Sequence, residues 1–516
     1  MTNMKYEGQD VVVVGCGIAG LSAAVSAAEN GARVAVLERA PREERGGQSR
    51  YTEAYLRMKS ETEVTDDFET HIAENGSASI SPALIEESAM GMDSRAPLIN
   101  TLSIADPEVV SVLAANAGPT VAWMKTHGVR FDFLPTQFLT ATQPRLLPVG
   151  GGEAMIEALA ARAEALSVKF YYETAAQELL LGADRSVEGV WAKTRGRAPR
   201  KLTGKVILAC GGFEGNSEMM SRYIGPRSVY LRPICRGGYY NRGDGIRMGL
   251  AAGATTAGDF GSYHAEPVDP RSGISEPAVF IFPYGILVNK RAQRFTDEAP
   301  GTVDAHYENV TRRIFEQDGG TAWVILDARH RDIRNYRLGI RTDQPAIEAP
   351  TIEALAYKLA MSAAMLAATV AEYNQACRPG DYRPLQLDGV ATEGLTPPKS
   401  NWALPIDKAP FYAYPIISAN VFTFGGLKTD QLGRVVDQDG DAIKNLYAAG
   451  EMTGLYYGTY TGATSVLRGM VFGRLAGQHA AMTRAAAPTK KTESLRGQFV
   501  QVDAEQGVNR GSAEQL

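Results

Sequence analysis

The first forty residues alternate between apolar runs and a small-residue helix pattern. Residues 11–14 are four consecutive valines, which is typical of a strand buried on both faces of a parallel sheet. The Ala-rich stretch 21–30 favours a helix that ends at Gly31, and residues 33–37 predict a second strand. This order predicts the start of a βαβ unit.

The remaining pattern predicts an α/β chain that is interrupted once. Residues 39–150 are mixed, and 230–350 is richer in Arg, Gly, Pro and aromatic residues, which indicates an inserted domain. The further predicted helices are 109–126, 153–166, 352–377 and 466–481, and the further predicted strands are 169–172, 187–193, 205–209 and 445–449. The predicted domains are 1–230 and 351–485 for the two parts of a dinucleotide-binding domain, 231–350 for the inserted domain, and 486–516 for a polar, mobile tail.

Composition excludes several classes of protein. The chain has 516 residues, and 53 Lys and Arg against 58 Asp and Glu give a formal net charge of −5, which argues against nucleic-acid binding. Its four cysteines form no CxxC pair, so we expect no disulfide framework, iron–sulfur cluster or metal site. Glycines interrupt the apolar stretch 11–28 and no signal-peptide layout precedes it. We therefore expect a cytoplasmic protein that is not an integral membrane protein.

The turn after the first strand carries the strongest chemical signal. Gly15, Gly17 and Gly20 match GxGxxG between a predicted strand and a predicted helix. In such a turn the first glycine permits the tight bend, the second lets the backbone approach a pyrophosphate, and the third lets helix and strand pack closely. Glu38 follows the second strand, where an acid can bind ribose hydroxyls. Together these features predict a dinucleotide site.

Three further glycine clusters follow predicted strands. They are Arg45–Ser49, Ala209–Phe213 and Tyr447–Glu451, and the last precedes Gly462–Ser465 and a helix. One glycine turn suffices for NAD. Several turns spread over the chain favour a larger cofactor that is held along its length.

With these motifs, the chain resembles the fumarate reductase/succinate dehydrogenase flavoprotein superfamily. Within it, Gly46–Arg50, Gly211–Glu214, Gly243–Gly245, Arg294-Phe295 and Val471–Arg474 are most similar to FAD-dependent tricarballylate dehydrogenases, with 3-ketosteroid dehydrogenases as relatives. The resemblance implies an α/β fold: a Rossmann-like FAD-binding domain with an inserted α+β capping domain that covers the substrate.

The resemblance also implies the cofactor residues. It places Gly15, Gly17 and Gly20 at the pyrophosphate, Glu38 on the adenosine ribose, Glu451 on the ribitol and Ser465, Val466 and Leu467 under the flavin O2. Gln48 stands where covalent members have a flavin-linked histidine, so the FAD is expected to be non-covalent. The other implied FAD-binding residues are Ile18, Ala19, Arg39, Gly46, Gly47, Ser49, Ala209, Gly211, Gly212 and Gly450.

The candidate catalytic residues are His264, Tyr457, Tyr460 and Arg468. His264 falls where relatives place a carboxylate-binding histidine, and a tyrosine near the flavin turn can donate to a substrate oxygen. Arg468 can clamp a carboxylate, for which Arg145, Arg236, Arg50 and Tyr51 are weaker candidates. Fumarate reductases carry a proton-donating arginine and a second histidine where this chain has Thr302 and Phe422, which argues against that reaction.

The leading hypothesis is a dehydrogenase that desaturates the C–C bond α,β to a carboxylate by hydride transfer to flavin N5. Its best single substrate is tricarballylate, oxidised to cis-aconitate. The alternatives are a flavin-dependent reductase of an activated alkene, as in fumarate reductases, and a 3-ketosteroid-type dehydrogenase. An FAD-binding subunit without chemistry of its own and a plain NAD dehydrogenase complete the set. A separate protein, a quinone or oxygen remains open as the electron acceptor.

Overall fold

The computed structural model describes residues 6–74 and 102–483. Within this part of the chain the structure has ten α-helices: α1 (Ile18–Glu29), α2 (Phe68–Glu74), α3 (Pro107–Thr126), α4 (Gly151–Ala165), α5 (Ser217–Tyr223), α6 (Asp244–Ala251), α7 (Val303–Phe315), α8 (Ile352–Lys358), α9 (Ala363–Ala376) and α10 (Ser465–Met482). The predicted tail 486–516 lies outside the described residues.

Eighteen strands lie in the same described ranges. They are β1 (Tyr6–Val14), β2 (Val34–Leu37), β3 (Phe131–Asp132), β4 (Leu147–Pro148), β5 (Lys169–Tyr171), β6 (Thr174–Leu181), β7 (Val187–Thr194), β8 (Arg200–Leu208), β9 (Arg232–Pro233), β10 (Thr256–Ala257), β11 (Tyr263–Val268), β12 (Ile286–Val288), β13 (Thr321–Leu326), β14 (Ile347–Ala349), β15 (Phe411–Thr423), β16 (Gly426–Leu427), β17 (Arg434–Val436) and β18 (Ala442–Ala448).

The central sheet confirms the predicted α/β fold class. Its strand order is β17-β18-β8-β1-β2-β5. In addition, β7 pairs with β8, and β6 pairs with β7. The contacts of β1 with β2 and β8, of β2 with β5 and of β8 with β18 are parallel. The valines of β1 alternate between two cores: Val11 and Val13 pack with α1, α4 and α10, and Val12 and Val14 pack on the opposite face. The strand therefore reads as a continuous apolar run because both of its faces are covered.

A second sheet is mainly antiparallel. Its order is β11-β15-β13-β12, and β14 and β9 also pair with β15. Because β15 spans residues 411–423, this sheet takes a long strand from beyond the segment 231–350. The division of the chain at 231 and 350 stays a prediction.

One predicted helix differs in the structure. The stretch 352–377 forms two helices, α8 and α9, rather than one. Ala360, between them, has a positive φ of 54°, and the Ser362 side chain accepts a hydrogen bond from the Met365 amide. A serine cap gives the second helix its own start, which an Ala-rich composition does not reveal.

Helices α1 and α10 pack against each other through a row of glycines on α10. A Cβ added at Gly473 would lie 2.3 Å from the Ala19 carbonyl oxygen, and one added at Gly477 would lie 2.2 Å from the Ala23 carbonyl oxygen. Ser26 Oγ donates to the Arg474 carbonyl oxygen at 2.8 Å across the same contact. Since contacts advance along both helices together, their N-termini lie at the same end.

This contact makes a stability prediction. Gly477→Ala is expected to lower the free energy of unfolding by about 2 kcal/mol, because overpacking outweighs the gain in helix propensity. Gly273→Ala is the matched control, since a Cβ there meets nothing within 4 Å. Urea unfolding of both variants measures the effect. A Gly477→Ala protein as stable as the control variant would contradict the close contact.

Candidate active site

A cavity opens where the carboxyl ends of β1, β2 and β8 meet the N-termini of α1 and α10. Val14, Leu37 and Ala209, at the ends of these strands, all line it. In open α/β sheets, ligands bind outside the carboxyl ends of the strands. The cavity continues to β11 and α7, so one space connects the glycine turns with the second sheet.

The N-terminus of α1 is shaped for an anion. Gly15 has φ +108°, and a Cβ there would lie 2.3 Å from the Ala209 carbonyl oxygen, so this position requires glycine. Gly17 precedes α1 without a side-chain cap, and the first turn contains no acidic residue. The positive end of the helix dipole therefore faces the cavity with no acidic side chain in the first turn of the helix.

Glu38 lies beside this turn and is buried. Its carboxylate accepts hydrogen bonds from the Cys16 amide at 3.0 Å and from the Ala40 amide at 2.7 Å. Burial raises the pKa of Glu38, and these amide bonds oppose the rise. The side chain is thus held in place next to the glycine turn, where it can accept from ribose hydroxyls.

The N-terminus of α10 also faces the cavity, which Ser465 and Val466 line. Its first turn also lacks an acidic residue, and the Thr464 side chain does not cap it. Instead, the Tyr460 hydroxyl accepts from the Thr464 and Ser465 amides, each at 2.9 Å. Tyr460 is therefore held at the helix end that is expected to lie under the flavin O2.

A buried polar cluster lies between the glycine turns. The Thr423 amide donates to Glu451 Oε1 at 2.9 Å, while Gln48 Nε2 and Asn241 Nδ2 each donate to Glu214 Oε1 at 2.6 Å. Burial raises the pKa of Glu214 well above its usual value, and the neighbouring Glu451 charge adds to the rise. In the sequence, Glu214 stands out only as the last residue of the Gly211–Glu214 motif. Its contact with Gln48 joins segments 166 residues apart. An amide at position 48 is not a nucleophile, which agrees with a non-covalent flavin.

His264 lies on strand β11. Residues 263–268 pair with β15 and are buried along their whole length. Its Nε2 lies 2.6 Å from the Tyr307 hydroxyl, and its Nδ1 is buried without a hydrogen-bond partner. Burial, together with the Arg312 charge, lowers the pKa of His264 to about 3. The imidazole is therefore neutral at pH 7 and cannot act as a cationic proton donor there.

The loop between β3 and β4 brings Arg145 to the same cavity. Arg145 Nη2 donates to Asp304 Oδ2 at 3.2 Å, and Nη1 is buried without a partner. Burial raises the pKa of the neighbouring Tyr307 well above its usual value, and the Arg145 charge opposes the rise. One guanidinium donor thus remains for a ligand oxygen.

Two carboxyl groups also line this cavity. Gln137 Nε2 donates to Glu276 Oε1 at 3.0 Å and to Glu266 Oε1 at 3.5 Å. Burial raises the pKa of Glu276 to about 7, and burial together with the Glu276 charge raises the pKa of Glu266 well above its usual value. We call Gln137, Glu266 and Glu276 the carboxyl pocket.

Most of the residues predicted from the sequence meet in this cavity. Those that line it are Gly15, Gly17, Ile18, Ala19, Glu38, Arg39, Gly46, Gly47, Gln48, Ser49, Ala209, Gly211, Gly450, Glu451, Ser465, Val466, His264, Tyr460 and Arg468. Gly20, Gly212, Leu467 and Tyr457 are not among the lining residues. The Tyr457 hydroxyl accepts instead from the Gly258 amide at 2.9 Å. Arg468 stacks on Tyr456 and donates to the Thr453 carbonyl oxygen at 2.9 Å.

No sequence motif predicts the remaining residues of the cavity. Gln137, Glu276, Asp304 and Tyr307 come from two loops and one helix, and none belongs to a glycine motif. Glu266 could have been found from strand periodicity, because it lies two residues after His264 and shares its face of β11.

These features fit FAD. Two helix N-termini without acidic first turns face one cavity, a buried acid lies beside the first, and Gly15 permits a backbone turn that no other residue allows. A family model described as an FAD binding domain matches residues 10–467. The chain belongs to this family. It is an FAD-dependent oxidoreductase, and bound FAD supplies hydride transfer at its N5.

The similar proteins are reductases and dehydrogenases. Vinyl phenol reductase of Lactiplantibacillus plantarum is 28% identical over 93% of this chain and 98% of its own. The open conformation of a flavocytochrome c3 fumarate reductase superposes with a TM-score of 0.69 and 25% identity over 92% of this chain and 78% of that one. The 3-ketosteroid-Δ4-(5α)-dehydrogenase of Rhodococcus jostii RHA1 gives a TM-score of 0.64 and 26% identity over 93% of this chain and 98% of that one.

The residues that the structure describes contain neither a candidate metal site nor a membrane-spanning helix. No group of three or more His, Cys, Asp or Glu side chains in this part of the chain is placed to hold a metal ion. None of the helices described above is long and apolar enough to cross a membrane.

The carboxyl pocket predicts a pH effect on stability. Because the folded-state pKa of Glu276 is raised to about 7, its contribution is fully present below the unfolded pKa and is lost as pH rises through 7. Glu276→Gln should therefore gain on the order of 3 kcal/mol in unfolding free energy relative to the unmodified protein between pH 4.5 and 8. Chemical denaturation of the cofactor-free proteins across this range measures the difference.

The comparison with the unmodified protein removes the histidine contributions. All six histidines have lowered pKa values, first of all through burial, and they act equally in both proteins. Glu218→Gln is the control, because its side chain is 62% exposed. A stability difference that does not change with pH for Glu276→Gln would show that Glu276 ionises normally.

Proposed function

We propose that this protein reduces a C=C bond that is activated by a single carboxylate, carbonyl or aryl group. The observation that carries the proposal is the pair of buried, unpartnered nitrogens, His264 Nδ1 and Arg145 Nη1, in the cavity that also contains the α10 N-terminus. If the Tyr307 hydroxyl donates to His264 Nε2, the imidazole carries its proton on Nδ1. Both nitrogens then donate to one substrate oxygen and stabilise the charge that hydride addition creates there.

The direction of reaction is supported by the relatives. Vinyl phenol reductase matches this chain over nearly the full length of both proteins, and a fumarate reductase superposes over most of it. A separate carrier protein or a quinol is the proposed electron donor, since the residues that the structure describes form one cavity that fits a flavin.

A tricarboxylate suits this cavity poorly. Tricarballylate needs several cationic partners, since an unpaired buried carboxylate is costly. Arg39 pairs with Asp244, and Arg145 pairs with Asp304 so that its Nη1 remains for a ligand. Arg468 stacks on Tyr456 and donates to a backbone carbonyl, which leaves its Nε for a ligand. Two such donors are too few for three carboxylates. The carboxyl pocket would also repel a second anionic group. We therefore favour a substrate with at most one carboxylate over tricarballylate.

The second candidate is a 3-ketosteroid-type dehydrogenase. The cavity has aromatic walls, including Tyr55, Phe138 and Phe422. A neutral ring system can pack against such walls, and the His264 and Arg145 nitrogens would then hold its keto oxygen. The similarity to the Rhodococcus jostii enzyme supports this alternative.

Reoxidation of the reduced protein tests the proposal. FAD-loaded protein is reduced with dithionite and mixed anaerobically with cinnamate, 4-hydroxycinnamate, 4-vinylphenol or fumarate, while the oxidised protein is mixed with tricarballylate or a 3-ketosteroid. We expect the flavin to be reoxidised by a singly activated alkene and not by fumarate, and tricarballylate to leave the oxidised spectrum unchanged. Bleaching by tricarballylate, or fumarate as the fastest acceptor, would overturn the proposal. Bleaching by the steroid alone would favour the second candidate.

A paired substitution tests the role of Arg145. The double variant Arg145→Gln/Asp304→Asn removes both charges, so that no buried charge is left unpaired. We expect the KM for a carboxylated alkene to rise about tenfold or more, because a charge-assisted hydrogen bond is lost, while the KM for 4-vinylphenol changes little. Arg291→Gln/Asp318→Asn, an exposed ion pair, is the control. Equal losses for both substrates would assign Arg145 a structural role only.

A further inference from the structure

The carboxyl pocket contains a buried polar atom that no other residue satisfies. Gln137 is 3% exposed, its Oε1 has no hydrogen-bond partner, and it lines the cavity together with Glu266 and Glu276. We propose that this pocket binds a hydroxyl group carried on an aromatic ring of the substrate. The inference rests on the proposed function, because it takes that ring to be part of the activated alkene.

The chemistry of the pocket matches a hydroxyl group. Gln137 Nε2 approaches one oxygen of each carboxyl group, which holds the two acids close together. Two buried carboxylates that both contact one amide nitrogen cannot both ionise easily, so the pair keeps a proton. One member then donates while the other accepts, and Gln137 Oε1 accepts as well. A hydroxyl group both donates and accepts, and it satisfies such a pocket without bringing a charge into it.

Other ligand groups fit less well. A carboxylate would meet the negative charge of the pair. An aliphatic end would leave Gln137 Oε1 buried without a partner, which costs free energy when the ligand excludes water. A cation would draw both acids into their ionised form, and this outcome is tested below.

The walls of the cavity suit a flat ring. Phe138 and Tyr307 stack with centroids 5.4 Å apart and an interplanar angle of 27°, and Tyr55 lies 5.8 Å from Phe138. His264 contacts Tyr460 at a centroid distance of 4.4 Å, and Tyr460 in turn caps α10. His264 thus contacts both Tyr460, at the N-terminus of α10, and Tyr307.

The strand sets the distance between His264 and Glu266. His264 and Glu266 are two residues apart on β11, so their Cα atoms are about 7 Å apart and their side chains share a face. A ring whose activated alkene lies beside His264 can therefore extend its far substituent to Glu266. This places the hydroxyl opposite the alkene across the ring.

Binding to the oxidised, FAD-loaded protein tests the inference without turnover. The probes are 3-(4-hydroxyphenyl)propanoate and 3-phenylpropanoate, followed by the change in flavin absorbance, with 4-methylphenol and toluene as a pair without carboxylates. We expect each hydroxylated probe to bind about tenfold or more tightly than its partner. In Glu266→Met and Gln137→Met this preference should fall to about one. Glu218→Met, an exposed acid, should leave it unchanged.

Several outcomes would overturn the inference. They are equal affinity for the hydroxylated and plain probes, a preference that survives in both variants while their flavin content is normal, and tighter binding of 3-(4-aminomethylphenyl)propanoate than of the hydroxyl probe. Two variants are used because they alter different elements, a strand and a loop. If the hydroxyl preference holds but no alkene reoxidises the flavin, the proposed function fails and the inference stands. If alkenes react without the preference, the inference fails alone.

Discussion

The close contact between the first and the last helix determines where the chemistry of this protein can take place. Residues 454 positions apart meet there, because Gly473 and Gly477 let α10 lie against the backbone of Ala19 and Ala23. The two helices run in the same sense, so both positive ends face one cavity. A side chain in the row of glycines would separate these ends, and the anionic parts of one dinucleotide could no longer lie on both.

The sequence predicted the cofactor side of this cavity much better than the substrate side. Gly15, Gly17 and Glu38 follow one strand–turn–helix unit, and their roles depend on backbone geometry that local sequence determines. The substrate side depends on long-range contacts. Arg145 pairs with Asp304 across 159 residues, and Gln137 contacts Glu276 across 139 residues. No local pattern predicts that these segments meet, since each reads as an ordinary loop or helix.

Three nearby tyrosines show why sequence position alone could not separate the candidate active-site residues. Tyr456, Tyr457 and Tyr460 all follow the Glu451 turn, yet their hydroxyls point to different partners. The Tyr456 hydroxyl shares a hydrogen bond with the Thr464 hydroxyl. The Tyr457 hydroxyl accepts from the Gly258 amide, and the Tyr460 hydroxyl accepts from the amides at the start of α10. Only the course of the irregular loop between 453 and 464 separates these roles. His264 was found from its position in the chain, but its neutral state follows from burial on β11, which the sequence did not predict.

In the proposed function, the N-termini of α1 and α10, the His264 and Arg145 nitrogens and the carboxyl pocket act along a single cavity. The most direct measurement is a crystal structure of the protein with FAD and 3-(4-hydroxyphenyl)propanoate. We predict the pyrophosphate at the Gly17 and Ile18 amides, the flavin ring with its O2 at the N-terminus of α10, and the aryl hydroxyl at Glu266 and Gln137. A flavin ring bound away from His264 and Tyr460, or a ligand whose carboxylate occupies the carboxyl pocket, would contradict the account.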